Sequence, residues 1–275
     1  MEKKLIENVR QSVPLVHNIT NYVTVNDVAN ILLACGGSPI MADDAEEAEE
    51  ITSICGGLNI NIGTLNARTI ESMLLAGKRA NELGHIIVLD PVGAGASRLR
   101  TETAMQLLEK VRFSVIRGNV SELKTLWGGS GSTKGVDADL ADRVTEGNLD
   151  EMVEFAKKLS KKTGAVIAMT GAIDIVTDES KAYAIRNGNP LMSKITGTGC
   201  MLSGVVAAYC VANPDHLLDA TAAAVAAMGL SGEIAFERLE KTALGGTSSY
   251  RTYIIDAMSN MSDEILKEGM KLEAR

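Results

Sequence analysis

Short apolar runs and longer stretches of helical spacing alternate along most of this chain. Residues 58–62, 86–89, 113–116 and 165–169 read as strands with apolar residues on both faces, as a parallel sheet covered by helices requires. Between them, residues 66–83, 98–111, 121–127 and 148–162 carry apolar side chains at helical intervals, and several open near Asn or Ser, residues that favour helix N-termini. The alternation predicts repeated β–α units. The fold class expected is α/β, a three-layer αβα arrangement around a mostly parallel central sheet. It would span residues 1–275 as a single domain with no separate lid.

The rhythm changes beyond Thr170-Gly171. Residues 174–177 and 181–186, separated by Asp178-Glu179-Ser180, predict an antiparallel hairpin at the sheet edge. Segments 198–212, 215–238 and 248–267 have Ala-rich or mixed apolar faces and are expected to be helices covering the sheet. Near the start, residues 38–42 read as a strand ending close to Met41. The run 14–23 mixes polar and apolar residues more densely than an ordinary helix entry, and Asn18 could serve as the cap of a helix continuing through Val28, Ile31 and Leu33.

Composition narrows the function classes. Hydrophobic residues make up 45% of the 275, aromatics only 3%, and the formal charge is −8. Nucleic-acid backbones are bound by clustered Lys and Arg, and no such cluster appears in the sequence. Cys35, Cys55, Cys200 and Cys210 include no C-x-x-C pair, which fits reduced thiols in a cytoplasmic protein. The N-terminus lacks the unbroken apolar core of a signal peptide. The longest apolar stretches, 201–212 and 220–230, fall short of the roughly 20 residues that span a bilayer. A cytoplasmic protein with no membrane and no nucleic-acid partner is expected.

The densest chemistry lies in Gly197-Thr198-Gly199-Cys200, a turn that opens a small-residue apolar helix. Glycines let the backbone approach an anion, and free N–H groups at a helix N-terminus donate to it. There the helix dipole can lower the Cys200 thiol pKa and make it an acid, base or nucleophile; a compact buried thiol is the plainer alternative.

Asp90 follows an apolar run directly, at a strand's carboxyl end, where open α/β sheets bind ligands. It could hold Mg²⁺, assist proton transfer, or simply form a turn. Asn119 and Glu122 fit a capping box; alternatively Glu122 orders Mg²⁺-bound water while Arg117 neutralises phosphate oxygens. The Thr170 hydroxyl ends another strand at the same edge. Met41 could line a heteroaromatic pocket or pack in the core, and His17 reads as structural. The Gly-rich stretch 128–135 lacks the order of a P-loop, and 93–98 carries only two of the three glycines of a dinucleotide fingerprint. The former reads as a surface loop.

Taken together, His17-Asn18-Ile19-Thr20-Asn21, Gly37-Ser38-Pro39-Ile40-Met41, Asp90-Pro91-Val92-Gly93, Arg117-Gly118-Asn119 with Glu122, and Gly197-Thr198-Gly199-Cys200 resemble the hydroxyethylthiazole kinase family of the ribokinase-like superfamily. The resemblance implies ATP- and Mg²⁺-dependent phosphorylation of 4-methyl-5-(2-hydroxyethyl)thiazole in thiamine biosynthesis or salvage, by a homotrimer with sites between subunits. It further implies Cys200 and Asp90 as catalytic, and Arg117, Thr170, Asn119 and Gly199 as nucleotide-binding. Met41, Gly197 and Asn18 would bind the thiazole, and Glu122 with Asp90 the metal. Cys200 stands where the wider superfamily usually has an Asp base. Two other readings share these features. One is an ATP-dependent dehydratase of hydrated nicotinamide nucleotides on the same fold; the other is a nucleotide-binding module without catalysis.

Overall fold

The computed structural model describes residues 4–128 and 143–275. The loop reading for 128–135 falls, from residue 129 onward, outside the described residues. Among the described residues nine strands form one sheet in the order β2-β1-β3-β4-β5-β6-β7-β8-β9. They are β1 (Leu15–Ile19), β2 (Ser38–Met41), β3 (Gly57–Asn61), β4 (Ile86–Asp90), β5 (Val115–Asn119), β6 (Val166–Thr170), β7 (Asp174–Thr177), β8 (Ala182–Ile185) and β9 (Leu272–Ala274). The first six pair in parallel and the last three antiparallel. The α/β sheet and the antiparallel β7–β8 hairpin are as the sequence predicts, but the hairpin does not form the edge, because β9 pairs outside β8.

Alternate residues of each strand supply two separate cores. Leu58, Ile60, Ile87, Leu89 and Ile116 pack on one face beneath α3 (Ala48–Ile54), α4 (Ala67–Leu83), α5 (Arg98–Lys110), α6 (Val120–Gly128) and α7 (Leu149–Thr163). Val16, Val88, Val115 and Ala168 face the other way. There they meet α1 (Leu5–Ser12), α2 (Val25–Cys35), α8 (Thr198–Ala212), α9 (Leu217–Glu240), α10 (Thr247–Ser259) and α11 (Asp263–Gly269). Helix α8 is buried continuously from Cys200 to Cys210 because it has the sheet on one side and α2 and α9 on the others. That is why it is apolar all round.

Local signals hold some of the boundaries. Asn66 accepts from Thr69 N while the Thr69 hydroxyl accepts from Asn66 N, closing a capping box on α4. Two expectations fail. Residues 15–19 are a strand and not a helix entry, and α2 starts only at Val25. Asn18 is therefore no cap: its amide donates to Val16 O at 2.9 Å inside the strand layer. The helix expected over 248–267 is broken at 260–262, where Ser262 caps a new helix by accepting from Ile265 N at 3.2 Å.

The chain's two ends meet at α1. Asp263 accepts from Ile6 N and Glu7 N at 3.1 and 2.9 Å, capping a helix that has no side-chain cap at its own N-cap residue. The segment Pro214–Glu240 is the one described stretch long and apolar enough to cross a membrane, longer than the sequence runs suggest. Buried over 72% of its apolar window, it serves here as a core helix.

Gly229 lies inside α9, where Ala would ordinarily be favoured by about 1 kcal/mol. A Cβ there would stand 2.7 Å from the Asn187 carbonyl carbon and oxygen, backbone atoms that cannot turn aside. Gly229→Ala is expected to destabilise the protein by roughly 1–3 kcal/mol. Urea denaturation checks this, and a raised midpoint would show that the helix and the Asn187 segment separate freely.

Candidate active site

The polar residues of the sheet concentrate at the carboxyl ends of the parallel strands, on the α8 face. Asn59 and Asn61 alternate with Leu58 and Ile60 along β3, so this strand is apolar on one face only. Asn61 stands beside Asp90 in register, and Asn119 beside Thr170.

Asp90 has no exposed surface. Its Oδ2 accepts from Asn61 Nδ2 and Ser203 Oγ, both at 2.8 Å, and its carboxylate pairs with Arg117 Nη1 at 3.3 and 3.4 Å. Arg117 donates onward through Nη2 to Thr170 Oγ1 at 2.9 Å. Burial opposes the guanidinium charge, but Asp90, Glu122 and Cys200 outweigh it and hold the Arg117 pKa above its ordinary value. Its Nε is buried without a protein partner, so this cation retains a donor for an anion.

Gly197 has φ 89°, the left-handed region open to glycine, and a Cβ on it would meet Thr24 Cγ2 at 2.5 Å. The first helical bond of α8 runs from Met201 N to Gly197 O, which leaves the N–H groups of residues 198–200 ahead of the helical ladder. A Cβ on Gly199 would collide with the Arg117 guanidinium. The cradle and the cation thus share one place, as phosphate recognition needs.

Cys200 is buried in the first turn, where its Sγ accepts from Asn21 Nδ2 at 3.2 Å and Asn61 Nδ2 at 3.3 Å. Burial and then Asp90 raise the thiol pKa, against the opposing pull of Thr24, Arg117 and Asn21. The lowering expected from the helix dipole is overturned. A dipole acts within one turn, whereas desolvation acts on the whole buried group.

Glu122 does form the capping box: its N donates to Asn119 Oδ1 at 2.9 Å, and its Oε2 accepts from Asn119 N at 2.8 Å. The other oxygen accepts from Gly93 N at 2.8 Å, tying the loop after β4 to α6. Burial and the nearby Asp90 push its pKa up to about 7. Among the described residues, no three His, Cys, Asp or Glu side chains form a metal cage. Two coupled carboxylates against one arginine leave excess negative charge, and this fits Mg²⁺, which keeps its waters and takes one or two carboxylates plus substrate phosphates.

The structure brings Asp90, Arg117, Thr170, Gly199 and Cys200 together, with Asn119 and Glu122 alongside. Asn18 lies deeper: its Oδ1 accepts from Asn59 Nδ2 at 3.0 Å, one strand from the network. Met41, half-buried, ends β2 next to Asn18 in register and packs on the α8 core. His17 points to the opposite face, held by Thr52 Oγ1 and Ala42 O at 2.9 Å each. A concavity lined by Gly95, Ser97, Thr101, Glu102 and Thr125 lies apart from these groups.

Sequence reasoning missed Asn21, Asn61, Asp174 and Arg100. Asn61 had a signal, the alternation of Asn within an apolar strand. Asp174 accepts from Gly171 N at 2.8 Å, and burial pushes its carboxyl up to about 7. Arg100 donates to Gly63 O at 2.6 Å, bracing the loop after β3.

Known proteins resemble this chain in sequence and fold. Residues 6–264 match the model of the hydroxyethylthiazole kinase family. The chain is 64% identical to the hydroxyethylthiazole kinase of Clostridium acetobutylicum over the full length of both. It is 44% identical to that of Methanocella arvoryzae, covering 98% of this chain and 96% of the relative. The structure of hydroxyethylthiazole kinase from Pyrococcus horikoshii superposes with a TM-score of 0.86 at 34% identity, covering 98% and 97% of the two chains. A pyridoxal kinase from Staphylococcus aureus, at 14% identity and a TM-score of 0.60 over 96% and 99%, shares the fold alone. These matches do not favour the dehydratase or the non-catalytic reading. The chain is a kinase and belongs to the hydroxyethylthiazole kinase family.

Proposed function

We infer that this kinase transfers the γ-phosphoryl group of ATP to the primary alcohol of 4-methyl-5-(2-hydroxyethyl)thiazole, giving the thiazole phosphate for thiamine biosynthesis or salvage. The observation that carries the reading is the packing of Arg117 and Asp90 against the first turn of α8, with Cys200 in that turn. It joins a cation, a phosphate cradle and two proton acceptors.

In this scheme the substrate alcohol lies against the 197–200 turn, with Gly197, Met41 and Asn18 shaping the thiazole side. Arg117, Thr170, Asn119 and the Gly199 backbone hold the nucleotide phosphates. Asp90 or Cys200 takes the hydroxyl proton as the alcohol oxygen bonds to phosphorus and the bond to ADP breaks. Burial and Asp90 raise the thiol pKa, which disfavours the thiolate form of Cys200. Because phosphoryl transfer runs through a loose transition state, positioning and electrostatics matter more than a strong base. Bound Mg²⁺ would neutralise phosphate charge, held by Asp90 and Glu122 through ordered water, since protein donors already engage these carboxylates.

The reading takes residues 1–275 as one ribokinase-like domain without a lid, acting as a cytoplasmic homotrimer. Support for assembly comes from Tyr22 and Val23, exposed at 79% and 55% directly after Asn21. A neighbouring subunit covering them would also exclude water from the site.

Three outcomes are expected. Turnover of the thiazole alcohol with ATP, followed as a product heavier by one phosphate, should cease in excess chelator and return with Mg²⁺; full turnover in chelator removes the metal role. Cys200→Ala should lower kcat by about 10²–10⁴-fold if the thiol is a proton acceptor, with ATP affinity retained, while Cys200→Asp keeps or raises activity. Wild-type turnover in the alanine variant would reduce Cys200 to a space-filler. Sedimentation should give a trimer, and a fully active monomer would end the shared-site reading.

A further inference from the structure

The amide beside Cys200 has a fixed orientation. Asn61 Oδ1 accepts from Gly63 N at 2.9 Å and from Asn21 Nδ2 at 3.0 Å. A backbone N–H can only donate, so the amide oxygen must face Gly63 and the nitrogen must face away. Both Nδ2 hydrogens then have acceptors, Asp90 Oδ2 at 2.8 Å and Cys200 Sγ at 3.3 Å. Asn21 is fixed in the same way. Its nitrogen serves Asn61 Oδ1 and Cys200 Sγ, and its oxygen accepts from Thr24 Oγ1 at 3.1 Å. The sulfur therefore receives two amide hydrogens, which leaves it few directions in which to exchange a proton. The packing around this pair is equally tight: a Cβ on Gly63 would sit 3.0 Å from both Asn61 Oδ1 and Asn21 Nδ2.

We propose that Asn61 is a positioning residue for phosphoryl transfer, locking Cys200 Sγ and the Asp90 carboxylate into one mutual arrangement through a single amide group. It touches neither substrate nor nucleotide in this role. The inference rests on the reading of Cys200 and Asp90 as proton acceptors. It adds that their relative placement is set by β3 and the 61–63 turn, and not by α8 alone.

Two variants probe it. Asn61→Asp keeps the shape but replaces the donating nitrogen by oxygen, and Gly63→Ala leaves both amides in place while crowding them. Each is checked for native circular dichroism and then assayed for kcat, KM and the rate at which iodoacetamide alkylates Cys200, read by peptide mass spectrometry. Either variant should lower kcat about ten- to a hundredfold, the usual range for losing an orienting contact, with KM for both substrates within about twofold. Alkylation of Cys200 should slow in Asn61→Asp, because a carboxylate oxygen beside the sulfur repels the reactive thiolate. In a Cys200→Ala background, Asn61→Asp should cost well under its effect in the wild type, since coupled residues are not additive.

Unchanged kcat and unchanged alkylation in both variants, with Cys200→Ala still slow, would overturn the role of Asn61 and leave Cys200 as acceptor. A fully additive double variant with unchanged alkylation would overturn it too. Wild-type turnover in Cys200→Ala would instead remove Cys200 as an acceptor, and with it the Cys200–Asp90 arrangement that Asn61 is proposed to hold. Should Asn61→Asp fail to fold, Gly63→Ala decides by the same two readouts.

Discussion

A carboxylate with no exposed surface, that of Asp90, organises the carboxyl ends of the central strands. An unpaired buried charge costs several kcal/mol, and it is tolerated only where partners converge with good geometry. Here the partners come from three other elements: Arg117 on β5, Asn61 on β3 and Ser203 on α8. Each brings a further commitment. Arg117 forbids any side chain at position 199 and reaches across to Thr170; Asn61 carries the Cys200 sulfur; Ser203 fixes how far α8 stands from the strand ends. Burial first, and then the same charge, lift the Glu122 and Cys200 pKa values. A network this constrained fixes the orientation of its donors through the fold itself.

Much of the frame is written in local pattern. The Asn119–Glu122 capping box, the β7–β8 hairpin and the 197–200 turn each depend on a few neighbouring residues, and each is legible in the sequence. The resemblance to the hydroxyethylthiazole kinase family, carried by five short motifs, agrees with the family match over residues 6–264. β1 was illegible because His17 and Asn18 look like loop residues; their polar groups are satisfied by Thr52, Ala42, Val16 and Asn59, which only the folded chain supplies. The Asn59 and Asn61 stripe was visible, but an apolar reading of the strand absorbed it. The thiol's direction of shift was misread for a similar reason. Its helix N-terminus is local, whereas the burial that outweighs it, and Asp90 on β4, come only from the folded chain.

One further property follows from the cap that Asp263 places on α1 across 257 positions of sequence. In vectorial synthesis the first helix emerges with bare amides, and its acceptor follows only 257 positions later. The antiparallel edge is also left open until β9 pairs with β8. Contact order this high makes for slow folding and prolongs the time in which an unpaired edge can recruit another chain. The carboxyl-terminal segment thus works as a clasp, closing over the nascent amino terminus and the sheet edge in one late event.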